Sequence, residues 1–296
     1  KLCLYTLFGG IHPAFTLPIQ LDVGTNNEDL LNDPSYMGWR HKRIAGKEYE
    51  NFVDRFIKAI KKRFPKVLIQ WEDFSKQYAE PLLEKYRKQV CSFNDDVQGT
   101  AAVVTAGIFS AVKILNQKIQ DQRIVFYGAG SAGVGTAELI LKAMKKQGVS
   151  EKEAKTKMYV LGRNGLAHTK SEGLDDLKKR FAQPYETIAY WDIKDRQNIT
   201  LLEVIKHAKP TILIGTSTVS GSFSKEIIKE MQKHTDRPII FPLSNPTSKT
   251  EALPKDLIDW TDGQALIATG SPFPSVHYKE RSYDIGQCNN VFIFPG

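Results

Sequence analysis

From residue 49 to residue 64 the apolar side chains Tyr49, Phe52, Val53, Phe56, Ile57, Ile60 and Phe64 recur at three- and four-residue spacing, with lysines and arginines between them. That spacing predicts an amphipathic helix with its basic residues outward, ended by Pro65, which has no N–H to continue the ladder. Upstream, the apolar run over residues 17–23 reads as strand-like and is followed by a loop rich in Asn and Asp. Downstream, a short strand over 67–71 runs straight into Glu72-Asp73, and a second helix is predicted over 81–89, opening at Pro81. Phe93-Asn94-Asp95-Asp96 then leads through Gln98-Gly99-Thr100 into a long apolar helix that ends near Leu115. The clearest unit comes next: strand 123–127, a glycine turn from Gly128, a helix to about Lys146 and strand 157–161, a βαβ unit. Further strands at 211–214, 238–241 and 265–268 alternate with helical segments. The fold class that follows is α/β: a Rossmann-type, doubly wound parallel-sheet domain plus a second α/β domain. The expected boundaries are 1–94 for most of a substrate and metal domain, 95–288 for a dinucleotide domain, and 289–296 as a return to the first.

Composition narrows the classes of function. The chain has 296 residues, 41% hydrophobic and 25% charged, which is ordinary for globular domains and too apolar for wholesale disorder. The longest apolar run, 101–112, carries Thr, Gly and Ser and ends in Lys113, so it is expected to be a buried helix, and no membrane is expected as a partner. The formal charge of +8 points to anionic small molecules rather than nucleic acid. Its basic groups, Lys61-Lys62-Arg63, Lys145-Lys146 and Lys178-Lys179-Arg180, lie on helical faces without interleaved aromatics. Cys3, Cys91 and Cys288 are odd in number and widely spaced, so neither a disulfide framework nor a zinc cage is expected, and a reducing compartment fits, cytoplasm or mitochondrial matrix. Because the chain opens within an apolar run, targeting cannot be read from it. The six histidines show no metal-ligand spacing and are expected in surface or loop positions.

Gly128-Ala129-Gly130-Ser131-Ala132-Gly133 matches G-x-G-x-x-G between a predicted strand and a predicted helix. There the glycines permit a tight turn, close approach of backbone to a pyrophosphate and close helix–strand packing, while the helix amino terminus attracts the anion. The acidic residue that would bond a ribose at the end of the second strand is absent. Gly162-Arg163-Asn164 stands there, and Arg163 either pairs with a 2′-phosphate, as NADP would present, or is an exposed turn residue. Glu72, Asp73, Asp95 and Asp96 fall at strand or helix ends. Three of them could hold a hard divalent cation, Mg²⁺ or Mn²⁺, or they cap helices and turns.

These motifs resemble those of malic enzymes, in the same order along the chain. The resemblance rests on residues 17–27 (Leu-Pro-Ile-Gln-Leu-Asp-Val-Gly-Thr-Asn-Asn), Asn32-Asp33-Pro34, Trp71-Glu72-Asp73-Phe74, and residues 93–100 (Phe-Asn-Asp-Asp-Val-Gln-Gly-Thr). It extends through residues 243–249 (Leu-Ser-Asn-Pro-Thr-Ser-Lys), Thr269-Gly270-Ser271-Pro272-Phe273 and Gly286-Gln287-Cys288-Asn289-Asn290. It implies metal-dependent oxidative decarboxylation of malate to pyruvate with NAD or NADP, in a homo-oligomer, dimer or tetramer. It also implies roles: Glu72, Asp73 and Asp96 on the metal, Lys1 as general base with Asp95 assisting, and Asn245, Asn289 and Asn290 on malate. Ser217 and Asn245 would join residues 128–133 and Arg163 on the cofactor. Members of the family carry an upstream region supplying a catalytic tyrosine and a substrate-binding arginine, and further helices downstream. This chain has neither, so it is expected to be a fragment, and Tyr5 does not match the tyrosine's motif. The rival readings are a malolactic enzyme, which makes lactate without net oxidation, and a non-catalytic fragment of the same fold.

Overall fold

A computed structural model describes residues 2–293. By contact density these fall into two units, residues 2–70 with Leu82–Phe93, and Trp71–Pro81 with residues 94–293. In chain order the first elements are α1 (Leu2–Leu7), α2 (Glu28–Asn32), α3 (Gly46–Arg63), β1 (Ile69–Trp71), α4 (Lys76–Tyr86) and β2 (Ser92–Asn94), with β1 and β2 paired.

In the smaller unit α3 buries Tyr49, Val53 and Ile57, one residue per turn, and keeps Lys61, Lys62 and Arg63 exposed in its last turn, where cations suit the helix dipole. Residues 17–23, expected as strand-like, form no regular element. Leu17 and Ile19 stay exposed, while Val23 is buried and its carbonyl accepts from Ile44 N–H at 3.0 Å, so burial and pairing reach only the end of the run, too little to make it a strand. The second helix opens before Pro81 rather than at it. The Tyr78 and Ala79 N–H groups already donate to the Ser75 carbonyl, so a closed turn precedes the proline, which sits inside α4.

The larger unit continues with α5 (Thr100–Ile114), β3 (Ile124–Tyr127), α6 (Ser131–Lys146), α7 (Glu151–Thr156), β4 (Met158–Gly162) and β5 (Gly165–Leu166). Then come α8 (Asp176–Lys179), α9 (Tyr185–Ile188), α10 (Leu201–Ala208), β6 (Ile212–Gly215), α11 (Lys225–Gln232), β7 (Ile239–Pro242) and α12 (Pro254–Trp260). Last are β8 (Leu266–Thr269), the hairpin β9 (Val276–Tyr278) and β10 (Arg281–Tyr283), and β11 (Gly286–Gln287). Seven strands form one sheet in the order β11-β8-β7-β6-β3-β4-β5, parallel except for the β5 edge.

Both faces of this sheet are covered, which is why its strands read as unbroken apolar runs. Ile124, Phe126, Met158, Val160, Ile212 and Ile214 pack on one side against α5 and α6; Val125, Tyr159, Leu161, Leu213 and Ile240 pack on the other against α10, α11 and α12. Each fully buried side chain of that size stabilises the fold by ~1.5–3 kcal/mol. By length and composition the continuous helical stretch Asp95–Ile114 could cross a membrane, a property the sequence reading did not assign to it. Here it is the core helix, with Val104 and Ile108 fully buried against the sheet.

Contact density also places two short segments, and burial places one histidine expected at the surface. Segment Trp71–Pro81 groups with the larger unit, and residues 290–293 pack on α5 and the turn before it, in that same unit. His168 is buried at 1% exposure rather than lying at the surface, its Nε2 bonded to the Arg196 carbonyl and its Nδ1 accepting from Lys170 N–H. Burial of a polar ring is stable only because both nitrogens are paired. The order of the sheet reverses between β3 and β6, and in such sheets ligands bind outside the carboxyl ends of the strands at that reversal.

Candidate active site

The glycine turn lies at this reversal. Gly128 has φ +120°, and a Cβ there would come within 2.4 Å of the Thr216 carbonyl carbon just after β6, so the first glycine is required twice over. Gly133 is required by packing: a Cβ would meet the Gly128 carbonyl at 2.3 Å. Gly130 differs from both. Its φ of −85° suits any residue and a Cβ would meet nothing within 4 Å. Nothing among the described residues demands glycine there, whereas a ligand lying against the turn would. Ala129 is buried beneath the turn, and Ser131 and Ala132 open α6. No side chain caps this 16-residue helix, so its first N–H groups are left to water or to an anion.

At the end of β4 the acidic residue is indeed replaced. Arg163 is exposed, and a Cβ on Gly162 would lie 3.6 Å from Lys178 Nζ, which is itself paired with Asp175 at 3.2 Å. The strand end therefore carries the exposed Arg163 on one side and the Lys178–Asp175 pair on the other.

The carboxylates assemble around a π-helical turn, Asp95–Gly99, ahead of α5. Asn94 builds the turn, since its Oδ1 accepts from Val97 N–H while its own N–H donates to Gln98 Oε1, a reciprocal cap. A π turn inserts one residue into the helical register and re-aims its side chains. Asp95 turns inward, 4% exposed, and accepts from Asn290 Nδ2 at 2.7 Å. A Cβ on Gly99 would clash with its Oδ1 at 2.5 Å, which explains that glycine. Asp96 faces the other way and accepts from Asp73 N–H at 2.9 Å. Asp73 holds a left-handed φ of +59°, a conformation in which Asp is among the better-tolerated residues. Glu72, Asp73 and Asp96 thus bring one carboxylate oxygen each to within 4.8 Å of one another. Ligands at ~2.1 Å from a Mg²⁺-like ion would stand about 3–4 Å apart, so this all-oxygen donor set fits a hard divalent cation with small side-chain adjustments. Glu80, on α4 in the same segment, and Glu138, on α6, both pair with Arg180.

Across the sheet, the strand ends bring the remaining candidates together. Asn245 follows β7 and its Oδ1 accepts from Ser271 Oγ, which follows β8. Asn289 Nδ2 reaches the Gly270 carbonyl at 3.4 Å, as Gln287 Nε2 does at 3.3 Å. The adjacent Asn290 carries the bond to Asp95. The Ser217 hydroxyl points inward and donates to Glu251 at 2.8 Å, so its side chain holds its own loop. Glu251 was not singled out from the sequence. It follows a polar stretch, Thr247 to Thr250, that gives no sign of burial, yet it is 0% exposed. Lys1 lies outside the described residues. The neighbouring Cys288 thiol is pushed up to about 12 by burial, which makes it an inert packing residue rather than a nucleophile.

A doubly wound sheet with a glycine turn at its reversal and an all-oxygen carboxylate cluster beside it defines the class, and comparison with known proteins defines the family. The Malic enzyme, NAD binding domain family model matches residues 97–296, and the Malic enzyme, N-terminal domain model matches residues 1–87. The chain belongs to the malic enzyme family. It is 55% identical over its whole length to the NAD-dependent malic enzyme of Proteus mirabilis and 53% identical to that of Photorhabdus laumondii, covering 52% of each. It therefore spans about half the length of the curated relatives it matches. Among solved structures, Entamoeba histolytica malic enzyme matches with 25% identity and a TM-score of 0.68 over 99% of this chain and 50% of its own. Malic enzyme from Pyrococcus horikoshii matches with 28% identity and a TM-score of 0.57, over 86% of this chain and 52% of its own.

Proposed function

We propose that this chain carries the metal, substrate and dinucleotide machinery of an NAD-dependent malic enzyme, which converts malate to pyruvate and CO₂ while reducing NAD. The observation that carries the proposal is the π turn, whose consecutive residues Asp95 and Asp96 serve two sets of partners. Asp96 joins Glu72 and Asp73, and Asp95 joins Asn290 beside the strand ends. Oxidation of a 2-hydroxy acid needs a base for the hydroxyl proton, an acceptor for the hydride at the same carbon, and stabilisation of charge on the hydroxyl oxygen. A divalent cation, when bound, would supply that stabilisation and favour loss of CO₂ from the resulting keto acid. Glu72, Asp73 and Asp96 would hold it. Asp95, fixed by Asn290, orients the base, a role the family resemblance gives to Lys1. Asn245 and Asn289, anchored on the ends of β7 and β8, present amide groups to the carboxylates of malate. The glycine turn and the first N–H groups of α6 receive the pyrophosphate.

NAD is the cofactor supported by the named relatives; the exposed Arg163 at the end of β4 is the feature that would admit NADP. The same relatives, all from bacteria, support a cytoplasmic setting and lend none to a mitochondrial one. The test follows absorbance of reduced nicotinamide with malate, Mn²⁺ and either NAD or NADP, using this chain beside a longer one of the relatives' full length. Turnover by the longer chain that is abolished by Asp96→Ala is the expected result. Stoichiometric lactate without net reduction would replace the proposal with the malolactic reading, and silence from the longer chain would refute catalysis.

A further inference from the structure

Resting on the dinucleotide site just described, we propose that Glu251 is a positioning residue for the nicotinamide end of that site, one that locks the loops after β6 and β7 into a single arrangement. Glu251 Oε1 accepts from Ser217 N–H at 2.8 Å, Ser217 Oγ at 2.8 Å and Ser244 Oγ at 2.5 Å, and Oε2 accepts from Ser244 N–H at 3.3 Å. Both hydroxyls have their hydrogens committed to the carboxylate, because Ser217 Oγ itself accepts from Val219 N–H and Ser244 Oγ from Thr218 N–H. Among the described residues four donors face the group, the set of partners an acceptor-only carboxylate can use.

Among the described residues no Lys, Arg or His lies within ion-pair distance of this fully buried side chain. Burying an unpaired carboxylate is expensive unless hydrogen bonds replace its water. Those bonds all come from the loops after β6 and β7, which backbone bonds tie only farther out, from Gly221 N–H to the Thr250 carbonyl at 3.2 Å and from Phe223 N–H to the Glu251 carbonyl at 2.9 Å, so the carboxylate is what joins Ser217 to Ser244. The carboxylate also presses on β6: a Cβ on Gly215 would lie 2.5 Å from its Cδ, so that glycine makes room for it. The loops it joins carry Ser217 and Asn245 and lie across β3 from β4. In a doubly wound sheet the second strand, here β4, takes the adenosine ribose, so the β6–β7 side takes the nicotinamide half. Loosening Glu251 should therefore disturb one half of the dinucleotide and spare the other.

The experiment measures, by calorimetry on this chain, the affinities for NAD⁺ and for ADP-ribose, which has every part of the cofactor except nicotinamide. In Glu251→Gln the amide oxygen keeps the acceptor role of Oε1 while the NH₂ opposes Ser244 N–H. NAD⁺ binding is expected to weaken on the order of tenfold with ADP-ribose unchanged within about twofold. Equal changes for the two ligands, or none, would overturn the inference. If Glu251→Gln does not fold, Ser244→Ala provides the same test, since it deletes one bond to Glu251 and the bond to Thr218. It should weaken NAD⁺ by a few-fold and leave ADP-ribose alone, and the absence of that split would overturn the inference. Failure of the unaltered chain to bind ADP-ribose would refute the dinucleotide site itself and this inference with it.

Discussion

The three glycines of the turn at residues 128–133 have separable physical reasons, and replacing the second and third by alanine separates them in the laboratory. In Gly133→Ala the new Cβ would stand 2.3 Å from the Gly128 carbonyl, against about 3.4 Å for an ordinary contact, so α6 and β3 must part by about 1.1 Å. That helix buries Val134, Ala137, Ile140, Leu141 and Met144, and forced overpacking of such a core costs about 1–3 kcal/mol. For a unit of this size each kcal/mol lowers Tm by about 2–4 °C. In Gly130→Ala the methyl enters open space at an unstrained φ. Loss of backbone freedom in the unfolded chain stabilises by ~0.4–1 kcal/mol, and the poorer helix cap offsets it by a similar amount. Stability should thus stay nearly level. Dinucleotide binding should not, because the methyl occupies the place where a pyrophosphate would touch the turn. Each charge-assisted bond lost there is worth about 1.5–3 kcal/mol, or roughly tenfold to a hundredfold in Kd. Thermal melting and calorimetric titration with NAD⁺ on both variants make the test. A Gly130→Ala protein that binds NAD⁺ within twofold of the unaltered chain would refute the claim that a ligand, rather than the fold, accounts for that glycine.

Arg163→Ala should weaken NADP binding on the order of tenfold and NAD binding far less, by loss of a phosphate partner; equal effects in parallel titrations would make Arg163 an ordinary exposed turn residue. In the smaller unit, hydrogen bonds from Tyr86 and then Lys85 hold the Asp54 carboxyl below its ordinary range. A depressed carboxylate contributes stability above its unfolded pKa, about 3.9, and loses it as pH falls through the folded value. Tyr86→Phe should therefore lower stability by about 1 kcal/mol at pH 7. In denaturant titrations that deficit should shrink below about pH 4, and a pH-independent deficit would point to packing alone. Burial of Cys288 and exposure of Cys3 and Cys91 lead us to expect two thiols that react quickly with an aromatic disulfide in the native protein. The third should appear only on unfolding, and a fast third thiol would contradict the packing of β11 against β8.

The sequence by itself determined the elements whose signal is local. The spacing of Tyr49, Val53 and Ile57 defined α3, and the apolar runs around Phe126, Val160 and Ile214 defined strands buried on both faces. The order of strand, glycine turn and helix located the turn between β3 and α6. These succeed because periodicity and steric punctuation are properties of neighbouring residues. Residues 17–23 misled for the same reason, since an apolar run becomes a strand only when an edge pairs along it, and here the pairing among the described residues reaches only Val23, from Ile44. Pro81 misled because a closed turn ahead of a proline leaves no mark on the proline itself. Tertiary structure alone decided the rest. The divergence of Asp95 and Asp96 depends on a π turn that Asn94 and Gln98 cap from either side, and the union of Glu72, Asp73 and Asp96 depends on a left-handed Asp73 meeting a residue far along the chain. The burial of Glu251 among serines from two loops has no local signature, because its partners are brought together by the parallel order of β6 and β7. Long-range pairing sets which polar groups lose water, and the chemistry of the site follows from that loss.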